Sequence, residues 1–159
     1  MTLKIGIIGT NFISDDFCDA AAQVDGIELY AVYSRSADTG NHFAERHNIP
    51  TVFTDYEQFL DSPIDAVYVA SPNFAHCSQS IKAMEKKKHV LCEKPAARTY
   101  PEALEMQKVQ HETGMTLNIG VVNRFNDMVN LIREYIQDGR LGEVYHVYLS
   151  FRAFRSIPG

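Results

Sequence analysis

Apolar and polar positions along this chain fall into two alternating rhythms. Lys4 to Ile8 is a short isoleucine-rich run closed by Gly9, with the length and β-branching of a buried strand. Ser14 to Val24 then repeats Phe17, Ala20, Ala21 and Val24 at helical spacing. The alternation continues. Strands are expected at Ile27–Tyr33, Thr51–Phe53, Asp65–Ala70, His89–Cys92 and Thr116–Val121. Helices are expected at Ser36–His47, Tyr56–Leu60, Phe74–Lys86, Pro101–Glu112 and Asp127–Gln137. Local signals support several ends: Pro101 suits a first turn, Gly114 and Gly139 stop helices, and Asn126 is an N-cap. Lys86, Lys87 and Lys88 sit where the helix dipole favours cations.

Strands separated by helix-length segments make βαβ units and a parallel sheet. Right-handed crossovers then lead to an α/β fold, a doubly wound parallel sheet of Rossmann type. The tail breaks the rhythm. Glu143 to Phe154 alternates apolar and polar residues and reads as one long strand with no helix after it. It is expected to open a second α/β domain that is mostly absent. The expected division is 1–121, then a connecting helix and junction at 122–142, then 143–159. A strand without a partner exposes backbone donors, so self-association into a homo-oligomer through it is expected.

Composition narrows the function. Of 159 residues, 45% are hydrophobic and 22% charged, which is globular and not disordered. The net charge of −5 gives no general attraction to nucleic acid or an anionic membrane. No apolar run is long enough to span a bilayer, and the N-terminus enters a strand pattern without a basic leader, unlike a signal peptide. Cys18, Cys77 and Cys92 are odd in number and scattered, forming neither a disulfide framework nor a zinc spacing. A reducing, cytoplasmic location is expected. The histidines show no ligand spacing, so no metal site is expected.

The first strand ends in the turn Gly9-Thr10-Asn11-Phe12-Ile13-Ser14, where a nucleotide-binding turn would sit. Against G-x-G-x-x-G only the first glycine is kept. Asn11 stands at the second position, where its tolerance of positive φ is expected to preserve the turn. Ser14, at the third, is small enough for close helix–strand packing. Alone, this turn reads equally as a plain βα connection. The second strand ends in Ser34-Arg35-Ser36, with no acidic residue for a ribose diol. Two hydroxyls and a guanidinium suit a 2′-phosphate, which favours NADP over NAD; the other reading is a solvated arginine beside a capping serine.

Two further segments are more specific. One strand ends in Ser71-Pro72-Asn73-Phe74-Ala75-His76, the next in Cys92-Glu93-Lys94-Pro95, and Gly120-Val121-Val122-Asn123-Arg124-Phe125 follows. With the N-terminal turn, these make the chain resemble the Gfo/Idh/MocA oxidoreductases from Lys4 to about Gly159. The resemblance implies a nicotinamide-dependent hydride transfer on a sugar, cyclitol or related polyol, with this chain as the cofactor-binding half. It implies that the family's second domain, with the substrate face, a common dimer interface and the usual catalytic histidine, is missing, so that the chain alone turns over little.

By that resemblance Lys94 is the catalytic residue, contacting cofactor ribose and substrate. Its ammonium would stabilise charge developing on the reacting oxygen. Glu93 would orient Lys94 or bond the cofactor, and the Lys94–Pro95 bond is expected to be cis. Gly9, Thr10, Asn11, Phe12 and Ile13 would hold the pyrophosphate, and Ser34, Arg35 and Ser36 the adenosine end. Ser71, Pro72 and Asn73 would border the nicotinamide side. His76 either touches the ligand or is a packed or solvated helix histidine. Arg124 clamps substrate or, in the preferred reading, braces the domain junction. Tyr68 and Cys92 read as core. A competing reading is a non-catalytic NAD(P)-binding module, against which the intact Glu93-Lys94-Pro95 argues. A receiver-type domain would need clustered acids at strand ends, where this chain has Gly9 and Ser71.

Overall fold

A computed structural model describes residues 2–150 of the chain. Six strands form one parallel sheet: β1 (Leu3–Ile8), β2 (Ile27–Tyr33), β3 (Thr51–Phe53), β4 (Ala66–Val69), β5 (His89–Glu93) and β6 (Leu117–Gly120). Their spatial order is β3-β2-β1-β4-β5-β6. The helices are α1 (Phe12–Ala21), α2 (Ala37–His47), α3 (Tyr56–Asp61), α4 (His76–Glu85), α5 (Tyr100–Thr113) and α6 (Asp127–Gln137). This is the doubly wound Rossmann architecture that the alternating pattern implies.

Strand period divides the core between two faces. Ile5 and Ile7 of β1, with Val32, Tyr68 and Ala70, pack beneath Cys18 of α1 and Phe43 and Ala44 of α2. Ile8, Val67, Val69 and Val90 face the other way, onto Phe59 and Leu60 of α3, Ala83 and Met84 of α4 and Val109 of α5. Gly6 points to that second face. A methyl group there would lie 2.5 Å from the Phe59 ring, so the glycine gives the ring its place.

Several ends differ from the pattern for identifiable reasons. Helix α1 begins at Phe12, two residues ahead of the expected Ser14, because the Asn11 side chain caps it. The segment after β4 is not one helix from Phe74. Asn73–Ala75 form a 3-10 turn, and α4 starts at His76. Ser36 and Asn126 lie at the N-cap positions of α2 and α6, and the Asn126 side chain accepts the Met128 and Val129 N–H groups.

The chain divides into two compact units that meet between Val121 and Val122. The second contains a 3-10 turn (Val122–Phe125) and α6, which has no buried residue. The long strand expected from Glu143 to Phe154 is not there as far as Ser150: residues 144–150 take no regular structure. Alternation gives a strand two faces, but a ladder of hydrogen bonds to a neighbouring strand makes it a strand, and residues 144–150 join no sheet. Residues 151–154 of that expected strand lie outside the described residues.

Candidate functional site

Where the strand order reverses, between β1 and β4, the crossovers leave to opposite faces and open a crevice at the carboxyl ends of the strands. A cavity of about 360 Å³ occupies this place. Gly9, Thr10 and Asn11 line it from β1; Tyr33, Ser34, Arg35, Ser36 and Thr39 from β2 and α2; Ala70, Ser71, Pro72, Phe74, Ala75 and Gln79 from β4 and beyond.

The turn after β1 is built on one glycine and one capping side chain. Gly9 adopts φ +107°, and a Cβ there would lie 2.6 Å from the Ala70 carbonyl oxygen. Asn11 does not take the positive φ expected of it. It is extended, at φ −95° and ψ 177°, because its work is capping. Its Oδ1 accepts the Ile13 N–H at 2.9 Å and the Ser14 N–H at 3.4 Å, while its Nδ2 donates to Ala70 O at 2.5 Å. One carboxamide thus closes the helix start and ties the turn to the end of β4. Asn11 uses two of the first-turn donors of α1. The Phe12 N–H, at the first position of α1, has no i−4 partner in the helix. Ser14 is fully buried and its Oγ has no partner.

At the end of β2, Ser34 is buried and its Oγ accepts the Ser36 N–H at 3.3 Å. Arg35 is exposed and makes no ion pair among the described residues. A cation, two serines and a glycine turn around one crevice are a donor set that fits the phosphates of a dinucleotide.

The ends of β4 and β5 are organised by side chains. Ser71 Oγ donates to Gln79 Oε1 at 2.5 Å. Tyr68, on β4, donates its hydroxyl to Glu93 Oε1 at 2.9 Å, and the Lys94 backbone N–H donates to Glu93 Oε2 at 3.2 Å. Gly120 of β6 leaves room for this carboxylate, since a methyl group there would lie 2.8 Å from Oε1. Phe17 stacks on the Tyr68 ring at 3.8 Å. Burial first, and then the Glu93 carboxylate, push the Tyr68 phenol above its ordinary value, so the hydroxyl stays a donor. Glu93 therefore holds the backbone of Lys94, not its ammonium. The ammonium is exposed and has no partner among the described residues, and the Lys94–Pro95 bond is cis, as expected.

His76 is buried, with Nδ1 2.8 Å from Pro95 O and Nε2 2.7 Å from Ser71 O. Each ring nitrogen lies within hydrogen-bond distance of a backbone carbonyl, and the ring's tautomer decides which of them receives an N–H. Asn73 opens the 3-10 turn ahead of it. Phe12 and Ile13 stand in the first turn of α1, outside the cavity lining, and Phe12 is exposed. Arg124 lies in the second unit, on its 3-10 turn. Burial pushes the Cys18 thiol up to about 12 and Cys92 up to about 11, so neither supplies a thiolate at neutral pH. No group of three or more potential metal ligands occurs among the described residues.

Tyr68 is core, as its buried strand implied, but sequence reasoning missed the bond its hydroxyl makes to Glu93. The available signal was its phenol: a tyrosine on a buried strand needs a partner for its hydroxyl, and Glu93 ends the neighbouring strand. It also missed Thr39 and Gln79, polar residues one helical turn into α2 and α4 that nothing in the linear pattern separates from solvent-facing positions.

Residues 3–121 match a family profile described as an oxidoreductase family with an NAD-binding Rossmann fold. The chain belongs to the Gfo/Idh/MocA family. Among its relatives, scyllo-inositol 2-dehydrogenase (NADP(+)) IolU of Bacillus subtilis (strain 168) is 36% identical over 155 residues, covering 97% of this chain and 47% of that protein. The 1,5-anhydro-D-fructose reductase of Ensifer adhaerens is 34% identical over 151 residues, covering 91% of this chain and 45% of the reductase. Scyllo-inositol dehydrogenase from Lactobacillus casei, solved with NAD(H) and scyllo-inositol, superposes with a TM-score of 0.84 at 25% identity, covering 90% of this chain and 43% of that one. The chain therefore spans less than half the length of these family members. No helix among the described residues is long and apolar enough to cross a membrane.

Proposed function

We propose that this chain is the dinucleotide-binding part of an oxidoreductase acting on a hydroxyl-bearing carbon of a cyclitol or sugar, with NADP as the preferred cofactor. The observation that carries the reading is the strand-end crevice with a glycine turn on one side and, on the other, an exposed arginine that makes no ion pair among the described residues. The nicotinamide, when bound, supplies a hydride acceptor or donor. The remaining chemistry belongs to the chain. The Gly9 turn and the Phe12 N–H receive the pyrophosphate. Ser34, Arg35 and Ser36 take the adenosine end, where the guanidinium pairs with a 2′-phosphate. Ser71, Pro72 and Asn73 border the nicotinamide ribose.

Lys94 extends from the end of β5 with its backbone held by Glu93. Its free ammonium stabilises negative charge on the substrate oxygen and exchanges a proton with it. Substrate enclosure and exclusion of water need surfaces beyond these 159 residues, so the chain alone binds dinucleotide and turns over little. Three buried thiols suit a reducing cytosol.

Titration of the purified chain with NADPH and with NADH, followed by nucleotide fluorescence, tests the reading. NADPH is expected to bind more tightly, and Arg35→Ala to weaken it about tenfold while leaving NADH nearly unchanged, the effect of one exposed charge-assisted contact. Equal affinity for both nucleotides in the native chain overturns the NADP preference. Failure to bind either overturns the functional reading.

A further inference from the structure

The two loops that would face the nicotinamide follow β4 and β5 and are separated by the whole of α4 in the sequence. One buried side chain touches both. His76, the first residue of α4, lies 1% exposed with Nε2 2.7 Å from Ser71 O and Nδ1 2.8 Å from Pro95 O. These carbonyls lie in loops, where no ladder or helix partner is provided. A loop carbonyl left without a donor on burial is costly. The ring is also rigid, so fixing its two nitrogens fixes the separation of the two oxygens. A clamp on both oxygens uses both N–H groups, which only the doubly protonated ring carries; a neutral imidazole donates to one carbonyl and turns a lone pair to the other.

We propose that His76 is a positioning residue: it fastens the Ser71–Asn73 loop to the Glu93–Pro95 loop and so sets the distance between Asn73 and Lys94. It touches neither ligand nor reacting atoms. It acts through the backbone on either side of the place where the nicotinamide would lie, a consequence that rests on the proposed function. The tie itself does not rest on it. Among the described residues the Lys94 ammonium has no partner, so its position follows from how the backbone of its loop is held, by Glu93 on one side and by the tie at Pro95 on the other.

Counting bonds from Cβ suggests how to cut the tie on one side at a time. The amide nitrogen of asparagine falls where Nδ1 sits, and that of glutamine where Nε2 sits. His76→Asn should keep the Pro95 contact and lose Ser71. His76→Gln should keep Ser71 and lose Pro95. His76→Phe loses both while preserving ring volume. Hydrogen-exchange mass spectrometry on the full chain reads the outcome without any ligand. His76→Gln is expected to speed exchange about tenfold in the segment after β5 alone. His76→Asn should do the same in the segment after β4 alone, and His76→Phe in both; a lost buried hydrogen bond is of that size. Equal exchange in both segments for Asn and Gln variants overturns the proposal, since a general loss of stability would act so.

Nucleotide binding supplies the second arm. His76→Phe is expected to weaken NADPH about tenfold and to leave 2′,5′-ADP, which lacks the nicotinamide, unchanged. Parallel weakening of both overturns the assignment to the nicotinamide side. A native chain that binds neither nucleotide defeats the proposed function, and the exchange pattern then still decides the clamp.

Discussion

The carboxyl ends of the strands fall into two sides built from different materials, and only Ala70, Ser71, Pro72, Phe74, Ala75 and Gln79 carry the second as far as the cavity. After β1 and β2 the chain offers backbone: a glycine at φ +107°, the start of α1, and an arginine left free. After β4 and β5 it offers a side-chain network, in which Tyr68 holds Glu93, Glu93 holds the Lys94 backbone, and His76 bridges both loops. The first side needs a shape that one methyl group would spoil. The second needs several polar groups to agree, and each can be removed singly without a collision. Phosphates are recognised by amides and cations at close approach. A reacting oxygen requires one group at one place, which is why the second side invests in positioning.

If that contrast is right, the largest single effect belongs to the backbone side. Gly9→Ala combines a positive φ with a Cβ 2.6 Å from a backbone oxygen that cannot swing away. We expect a stability loss of about 2–3 kcal/mol in urea unfolding and loss of dinucleotide binding in whatever remains folded. A Gly9→Ala chain with native stability would mean that the turn relaxes freely, and the contrast between the two sides would disappear.

Asn11 is the one side chain on which the backbone side depends, and two substitutions separate its duties. Asn11→Ala removes the cap of α1 and the bond to Ala70 O, for an expected loss of about 1–2 kcal/mol. Asn11→Gly costs less as a cap, by a few tenths of a kcal/mol relative to asparagine, apart from the Ala70 bond. It also frees the Ile13 amide for phosphate, while the Ser14 N–H keeps its bond to the residue 11 carbonyl. Dinucleotide affinity should then rise for Asn11→Gly relative to the native chain. A fall would show that the carboxamide itself receives the phosphate.

How much of this was legible in the sequence follows the same divide. Strands such as Lys4–Ile8 and Asp65–Ala70 announce themselves because both faces are buried, so the apolar run is continuous. Their ends carry the motif residues, and the Gly9 turn and Lys94 loop stand where the pattern puts them. The start of α1 was misplaced because Asn11, a polar residue outside the apolar stripe, decides it. His76 could not be resolved between ligand contact and packing. Its two partners are carbonyls 5 and 19 residues away, and no residue type marks them. The tail failed for a different reason. Val144, Val147 and Leu149 alternate well enough with their neighbours, but pairing is a property of two segments, and a single sequence window contains one.

The smallest effect, and the finest probe of the side-chain network, is Tyr68→Phe. The ring still stacks on Phe17 and the strand keeps its apolar burial. Only the donor to Glu93 Oε1 is lost, from a half-buried carboxylate that water can partly rescue. At neutral pH we expect a loss of about 0.5–1.5 kcal/mol. The alkaline limb gives the sharper signature. The Tyr68 phenol is raised in the folded state, by burial first and the Glu93 carboxylate next, above an unfolded value near 10.0. Its stabilising contribution is therefore complete below pH 10 and is lost as pH rises further, since only the unfolded chain ionises readily. Tyr56, raised chiefly by burial, adds to the same limb in both proteins. Tyr68→Phe should accordingly start lower at pH 8 and lose less between pH 10 and 11 in urea unfolding series. Parallel curves would mean that the Tyr68 phenol is not raised in the folded chain, and equal stability at pH 8 that the Tyr68–Glu93 bond does not form. The carboxylate holding Lys94 would then stand without its donor, and the second side would be no more ordered than the first.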